Sequence, residues 1–92
     1  MKKNPYILRA FSSLPRIKLL LCLKEKEKNV GELIKNCGLS QSAVSQHLKK
    51  LKKWGLVSCQ KQGKEVYYKL NKKNVAEIAE KLLVFYKSLW IK

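Results

Sequence analysis

The stretch Gly38-Leu39-Ser40-Gln41-Ser42-Ala43-Val44-Ser45-Gln46-His47-Leu48-Lys49-Lys50-Leu51 decides the fold. Gly38 stands where a helix ends on a left-handed residue. Ser40, two residues on, has a side-chain oxygen suited to cap a new helix. That helix is predicted from about Gln41 to Trp54, with Val44, Leu48 and Leu51 as its buried stripe and Gly55 as its stop. Immediately upstream, Asn29-Val30-Gly31-Glu32 has the form of a capping box, with Asn29 as the N-cap. The helix it opens places Val30, Leu33, Ile34 and Cys37 at i, i+3, i+4 and i+7. Two helices joined by a tight turn containing glycine form a helix-turn-helix, here over about 30–54.

Working outward, the apolar segment from Tyr6 to Phe11 predicts a first helix over about 5–12, broken by Ser12-Ser13-Leu14-Pro15. Pro15 suits the first turn of a second helix. Ile17 to about Lys26 is Leu-rich and reads as largely buried, and the Lys-Glu alternation of Lys24 to Lys28 reads as its solvated end and a turn. Downstream of the helix-turn-helix the period changes. Leu56 to Lys61 and Glu65 to Leu70 read as two strands separated by Gln62-Gly63, a wing over about 56–70. Parity turns Val57, Cys59, Val66, Tyr68 and Leu70 inward. Asn74-Val75-Ala76-Glu77 repeats the capping-box pattern and opens a last helix over about 74–91. The expected fold is mainly α with a small β-hairpin: a winged helix-turn-helix in the order α-α-α-α-β-β-α, one domain over 1–92.

The charge points to a partner. Twenty-one Lys and Arg face six acidic residues, a formal net charge of +15. Such an excess opposes compaction by self-repulsion, and a polyanion relieves it by exchange for condensed counterions. The second helix of the motif concentrates the chemistry. Ser40, Gln41, Ser42, Ser45 and Gln46 are small and polar at the end that reads base edges, where Gln can pair with adenine. Lys49, Lys50, Lys52 and Lys53 follow and suit phosphates, which set register and affinity. His47, the single histidine, reads as a boundary group bonded to a phosphate rather than a metal ligand. Lys61 and Lys64 at the wing tip suit an adjacent narrow minor groove. An enzyme is not expected: there is no phosphate-binding glycine loop and no nucleophile–base pair. Three cysteines without paired spacing do not form a disulfide framework and suit a reducing cytoplasm. The N-terminus lacks the features of a signal peptide, and no run approaches the roughly 20 apolar residues of a membrane span.

The segment from Gly31 to Asn71 resembles the ArsR/SmtB family of bacterial and archaeal repressors. Val30-Gly31-Glu32-Leu33, the Leu39-to-Leu48 run, Gly55-Leu56-Val57 and Val66-Tyr67-Tyr68-Lys69-Leu70 carry the resemblance. It implies a winged helix, a homodimer through the first and last helices, and an inverted-repeat operator in double-stranded DNA released by a chemical signal. The residues themselves favour a dimer too. Tyr6, Leu8, Phe11, Leu82, Phe85, Tyr86, Leu89 and Trp90 carry more apolar surface than a small core hides. The family's metal motifs are absent: Asn29 to Glu32 contains no Cys, and Val75 to Trp90 no His, Asp or Cys. No metal and no cofactor is expected. Cys37 and Cys59 read as small core residues, while Cys22, sharing a stripe with Lys18 and Glu25, is the candidate redox residue. The leading function is a sequence-specific repressor. The alternatives are a nonspecific architectural DNA binder, a thiol-responsive repressor and a protein-interaction module.

Overall fold

The structure, a computed structural model, describes residues 5–90. The side chain of Tyr6, assigned above to the dimer face, lies outside what is described, as does Ile91. The described residues open with a 3-10 helix, Pro5–Phe11, where an α-helix was expected. Four α-helices follow: α1 (Leu14–Cys22), α2 (Val30–Cys37), α3 (Gln41–Lys53) and α4 (Asn74–Ser88). Among the described residues three strands complete the fold: β1 (Lys28–Asn29), β2 (Val57–Gln62) and β3 (Glu65–Leu70).

The helix-turn-helix forms for local reasons. Asn29 and Glu32 make the reciprocal capping box, with Glu32 N donating to Asn29 Oδ1 at 2.8 Å and Asn29 N to Glu32 Oε1 at 3.0 Å. Gly38 ends α2 at φ 67°, in the left-handed region. Ser40 Oγ then accepts from Ala43 N at 3.1 Å and starts α3. Leu33 of α2 and Val44, Leu48 and Leu51 of α3 are fully buried with Leu19 and Leu20 of α1. This core fixes α3 and leaves its polar face outside.

Four local expectations are corrected. First, α1 ends at Cys22 and not near Lys26. Lys28 and Asn29 are drawn into the sheet, pairing antiparallel with Tyr68 and Tyr67, so the order is β1-β3-β2 and the chain cannot stay helical up to them. Lys28, expected in a solvated turn, is buried, its ammonium donating to the Cys22 carbonyl. Second, the hairpin register pairs Gln62 with Glu65, so the two-residue loop is Gly63-Lys64 rather than Gln62-Gly63. Gly63 has φ 66° and Lys64 a negative φ, the pattern of a turn that needs glycine at its first central position. Third, Val66 shares the inward parity of Tyr68 and Leu70 but is exposed. It pairs with Lys61 near the tip, where the wing projects past the helices. Fourth, α4 lacks the expected Asn74 cap. Lys73 is already in right-handed helical conformation, and Ala76 N bonds to its carbonyl at 3.1 Å. The extended backbone that a capping side chain requires is therefore missing.

Candidate nucleic-acid interface

The outer face of α3 presents the side chains expected of a reading helix. Ser40, Gln41, Ser42, Ser45 and Gln46 are exposed, as are Lys49, Lys50 and Lys53 behind them. Gln46 Nε2 donates to Ser42 Oγ at 3.3 Å, one turn back, which leaves the Gln46 carbonyl oxygen pointing away from that bond. Gln46, Lys49, Lys50 and Lys53 line a shallow depression of about 370 Å³. The helix contains no acidic residue, and Lys50, Lys52 and Lys53 occupy its last turn, where cations complement the helix dipole. Lys52 is engaged on the other side: a bond to the Cys59 thiol raises its pKa above the usual value.

His47 sits at the edge of this face, half-buried. Its Nδ1 is buried without a hydrogen-bond partner among the described residues. Burial, followed by the charges of Arg16 and Lys50, pulls its pKa below the ordinary 6.5. The imidazole is therefore neutral at neutral pH, a neutral hydrogen-bonding group rather than a cation. Arg16 is a residue that sequence reasoning left without a role. Its guanidinium lies 5.4 Å from the centre of the Trp54 ring and donates through Nη2 to the Arg9 carbonyl at 2.7 Å. It thereby ties the N-terminal 3-10 helix and α1 to the end of α3.

The wing carries the remaining residues of the candidate interface. Lys61 and Lys64 are both exposed on and beside its tip. Gln62 Nε2 donates to Glu27 Oε1 at 3.1 Å, which links the tip to the segment before β1.

A second exposed surface is apolar. Leu8 of the 3-10 helix and Val84, Phe85, Leu89 and Trp90 at the end of the chain each expose more than 60% of their area, and Tyr86 exposes 46%. Phe11 and Leu82, also assigned to this face, are half-buried, and they border a cavity of about 290 Å³ with Leu14, Phe85, Tyr86 and Leu89. Tyr86 and Trp90 pack edge-to-face at 6.1 Å between ring centroids.

The structure also brings together two cysteines that the sequence reading treated separately. Cys22, at the end of α1, and Cys37, at the end of α2, have their sulfurs 2.9 Å apart. Cys37 packs against the core as expected, but only half-buried and beside a second thiol. Among the described residues no group of three His, Cys, Asp or Glu side chains is placed to hold a metal ion, and no helix is long and apolar enough to cross a membrane.

Comparison with known proteins accords with this geometry. The profile of the family described as "Bacterial regulatory protein, arsR family" matches residues 15–58. The chain is 39% identical over 86 residues to the transcriptional activator HlyU of Vibrio cholerae, covering 89% of this chain and 80% of HlyU. It is 40% identical over 72 residues to the transcriptional repressor SmtB of Mycobacterium tuberculosis, covering 78% of this chain but only 53%, about half, of SmtB. The crystal structure of the transcriptional repressor BigR from Xylella fastidiosa superposes with a TM-score of 0.77 at 30% identity, covering 87% of this chain and 82% of BigR. The capped helix-turn-helix, the wing and these similarities lead to one conclusion: the chain belongs to the arsR family of bacterial transcription regulators.

Proposed function

We propose that this regulator acts as a homodimeric repressor that recognises an inverted-repeat operator in double-stranded DNA. In this reading α3 enters the major groove. Gln41, Ser42, Ser45 and Gln46 meet base edges, while Ser40, His47, Lys49, Lys50 and Lys53 meet the flanking phosphates. Lys61 and Lys64 carry the wing into the neighbouring minor groove. The observation that carries the proposal is the exposed, acid-free face of α3, polar at its start and basic at its end. The dimer is supported by the exposed Leu8, Phe85, Tyr86, Leu89 and Trp90, a patch continuous with half-buried Phe11 and Leu82. Two copies joined there would present two reading helices about 34 Å apart, one turn of DNA. Repression follows from occupancy of a promoter.

The test is selection of bound duplexes from a random pool at near-physiological salt, followed by sequencing. A two-fold symmetric site with half-sites about 10 bp apart, or a multiple, is the expected result. The +15 charge, carried almost wholly by lysine, favours a second reading, that of an architectural binder. Retention of DNA without enrichment of any sequence would establish that reading in place of the first.

A further inference from the structure

We propose that Cys22 and Cys37 form a dithiol that a hydroperoxide oxidises to an intramolecular disulfide between α1 and α2, and that this bond weakens DNA binding. The two sulfurs already touch, at 2.9 Å, although the residues are 15 apart in sequence. Closing them to the roughly 2.0 Å of a disulfide requires a relative shift of only about 1 Å, besides the proper torsion. Both side chains are half-buried, so neither is sealed from a small oxidant. Each is the last residue of its helix, where a small adjustment costs less than inside a turn. The third cysteine, Cys59, sits on β2 beside Lys52 and takes no part in this contact.

The two thiols are not equivalent. Burial and the bond to Cys22 push the Cys37 thiol up to about 12, so Cys37 keeps its proton. Cys22 is therefore the sulfur that attacks. Its sulfur takes the terminal oxygen of the hydroperoxide, the O–O bond breaks, and the alkoxide leaves as an alcohol with the proton that the Cys22 thiol gives up. Cys22 becomes a sulfenic acid. The Cys37 sulfur then attacks the Cys22 sulfur, the S–O bond breaks, and the hydroxyl leaves with the Cys37 proton as water. Two thiols and one hydroperoxide give one disulfide, one alcohol and one water; the sulfurs lose the two electrons that the peroxide gains.

The site is placed to affect α3. Cys37 is followed at once by the left-handed Gly38, and Ser40 caps α3 two residues further on. A bond that draws the end of α2 towards α1 moves the turn from which the reading helix starts. Coupling of this kind commonly changes affinity by about 5- to 150-fold, and a fall of roughly tenfold is expected. The effect on DNA rests on the reading of α3 given above; formation of the disulfide does not.

The full chain is treated with hydrogen peroxide, blocked, cut with trypsin and mapped by mass spectrometry without reduction. The expected product joins the peptide of residues 19–24 to that of residues 36–49. Cys59→Ser should leave it unchanged. Linkage through Cys59, covalent dimers as the main product, or oxidation of Cys22 with Cys37 left free would overturn the site. In parallel, the affinity for a duplex selected by the reduced protein is measured before and after peroxide. It should fall about tenfold, recover with dithiothreitol, and stay constant in Cys22→Ser and Cys37→Ser. A mapped disulfide with unchanged affinity would overturn the regulatory effect and leave the operator reading intact. If the reduced protein selects no duplex, the operator reading fails and the effect on DNA fails with it, while the peptide map still decides the disulfide.

Discussion

Gln46 and His47 are neighbours in sequence with opposite surroundings, and each supports a different experiment. Gln46 is exposed, held only by Ser42, and a glutamine that pairs with adenine is worth about 1–3 kcal/mol of discrimination. Gln46→Ala should reduce the preference for the selected operator over singly mismatched duplexes by about that amount at one base pair per half-site, read by competition binding. His47 is neutral because its surroundings oppose the charge. Its folded pKa lies below 6.5, so above that pH neither state is protonated and it contributes no pH dependence. As pH falls through 6.5 the unfolded chain takes the proton first, and stability is lost down to the lower folded pKa. Urea unfolding at pH 7.5 and pH 5.5 should show a smaller drop for His47→Gln than for the natural chain. Gly38 was legible from sequence because its role is one of backbone geometry. With φ 67° and open space where a Cβ would stand, Gly38→Ala should cost about 1–2 kcal/mol through strain alone, measured in the same unfolding experiment.

At the level of elements, capping and periodicity made the helix-turn-helix readable. Asn29, Glu32, Gly38 and Ser40 bond within their own turns, so no distant partner had to be known. The strands were less legible. β1 exists only because Tyr67 and Tyr68 of β3 offer a free edge some 40 residues later, and two residues carry no alternation to detect. The same pairing stops α1 early and buries Lys28. The wing loop slipped by one residue because Gln62-Gly63 and Gly63-Lys64 both supply glycine, and only the strand register distinguishes them. Lys64 thereby occupies the loop itself, exposed at the outermost point of the wing. Replacing Lys61 and Lys64 together with Ala should reduce the slope of log affinity against log salt by about two, with the order of preferred sequences retained.

For the whole molecule the question is what covers the apolar end of α4. Phe85 and Leu89 are each more than 60% exposed, so most of their apolar area faces water in the single chain. Phe85→Lys should leave the fold intact by circular dichroism and give a monomer in sedimentation analysis. Operator affinity should fall steeply, since one half-site supplies only part of the contacts. A Phe85→Lys chain that still sediments as a dimer would move the interface elsewhere.

The residues by themselves determined the helix-turn-helix, its caps, its buried stripe and the polar and basic sides of α3, because these depend on contacts within a few residues and on the 3.6-residue period. Tertiary structure alone decided the third strand, the burial of Lys28, the stacking of Arg16 on Trp54 and the meeting of Cys22 with Cys37. Each joins segments whose approach depends on how α1 packs on its neighbours. Sequence spacing along either helix gave the direction of a side chain, but not what stood opposite it.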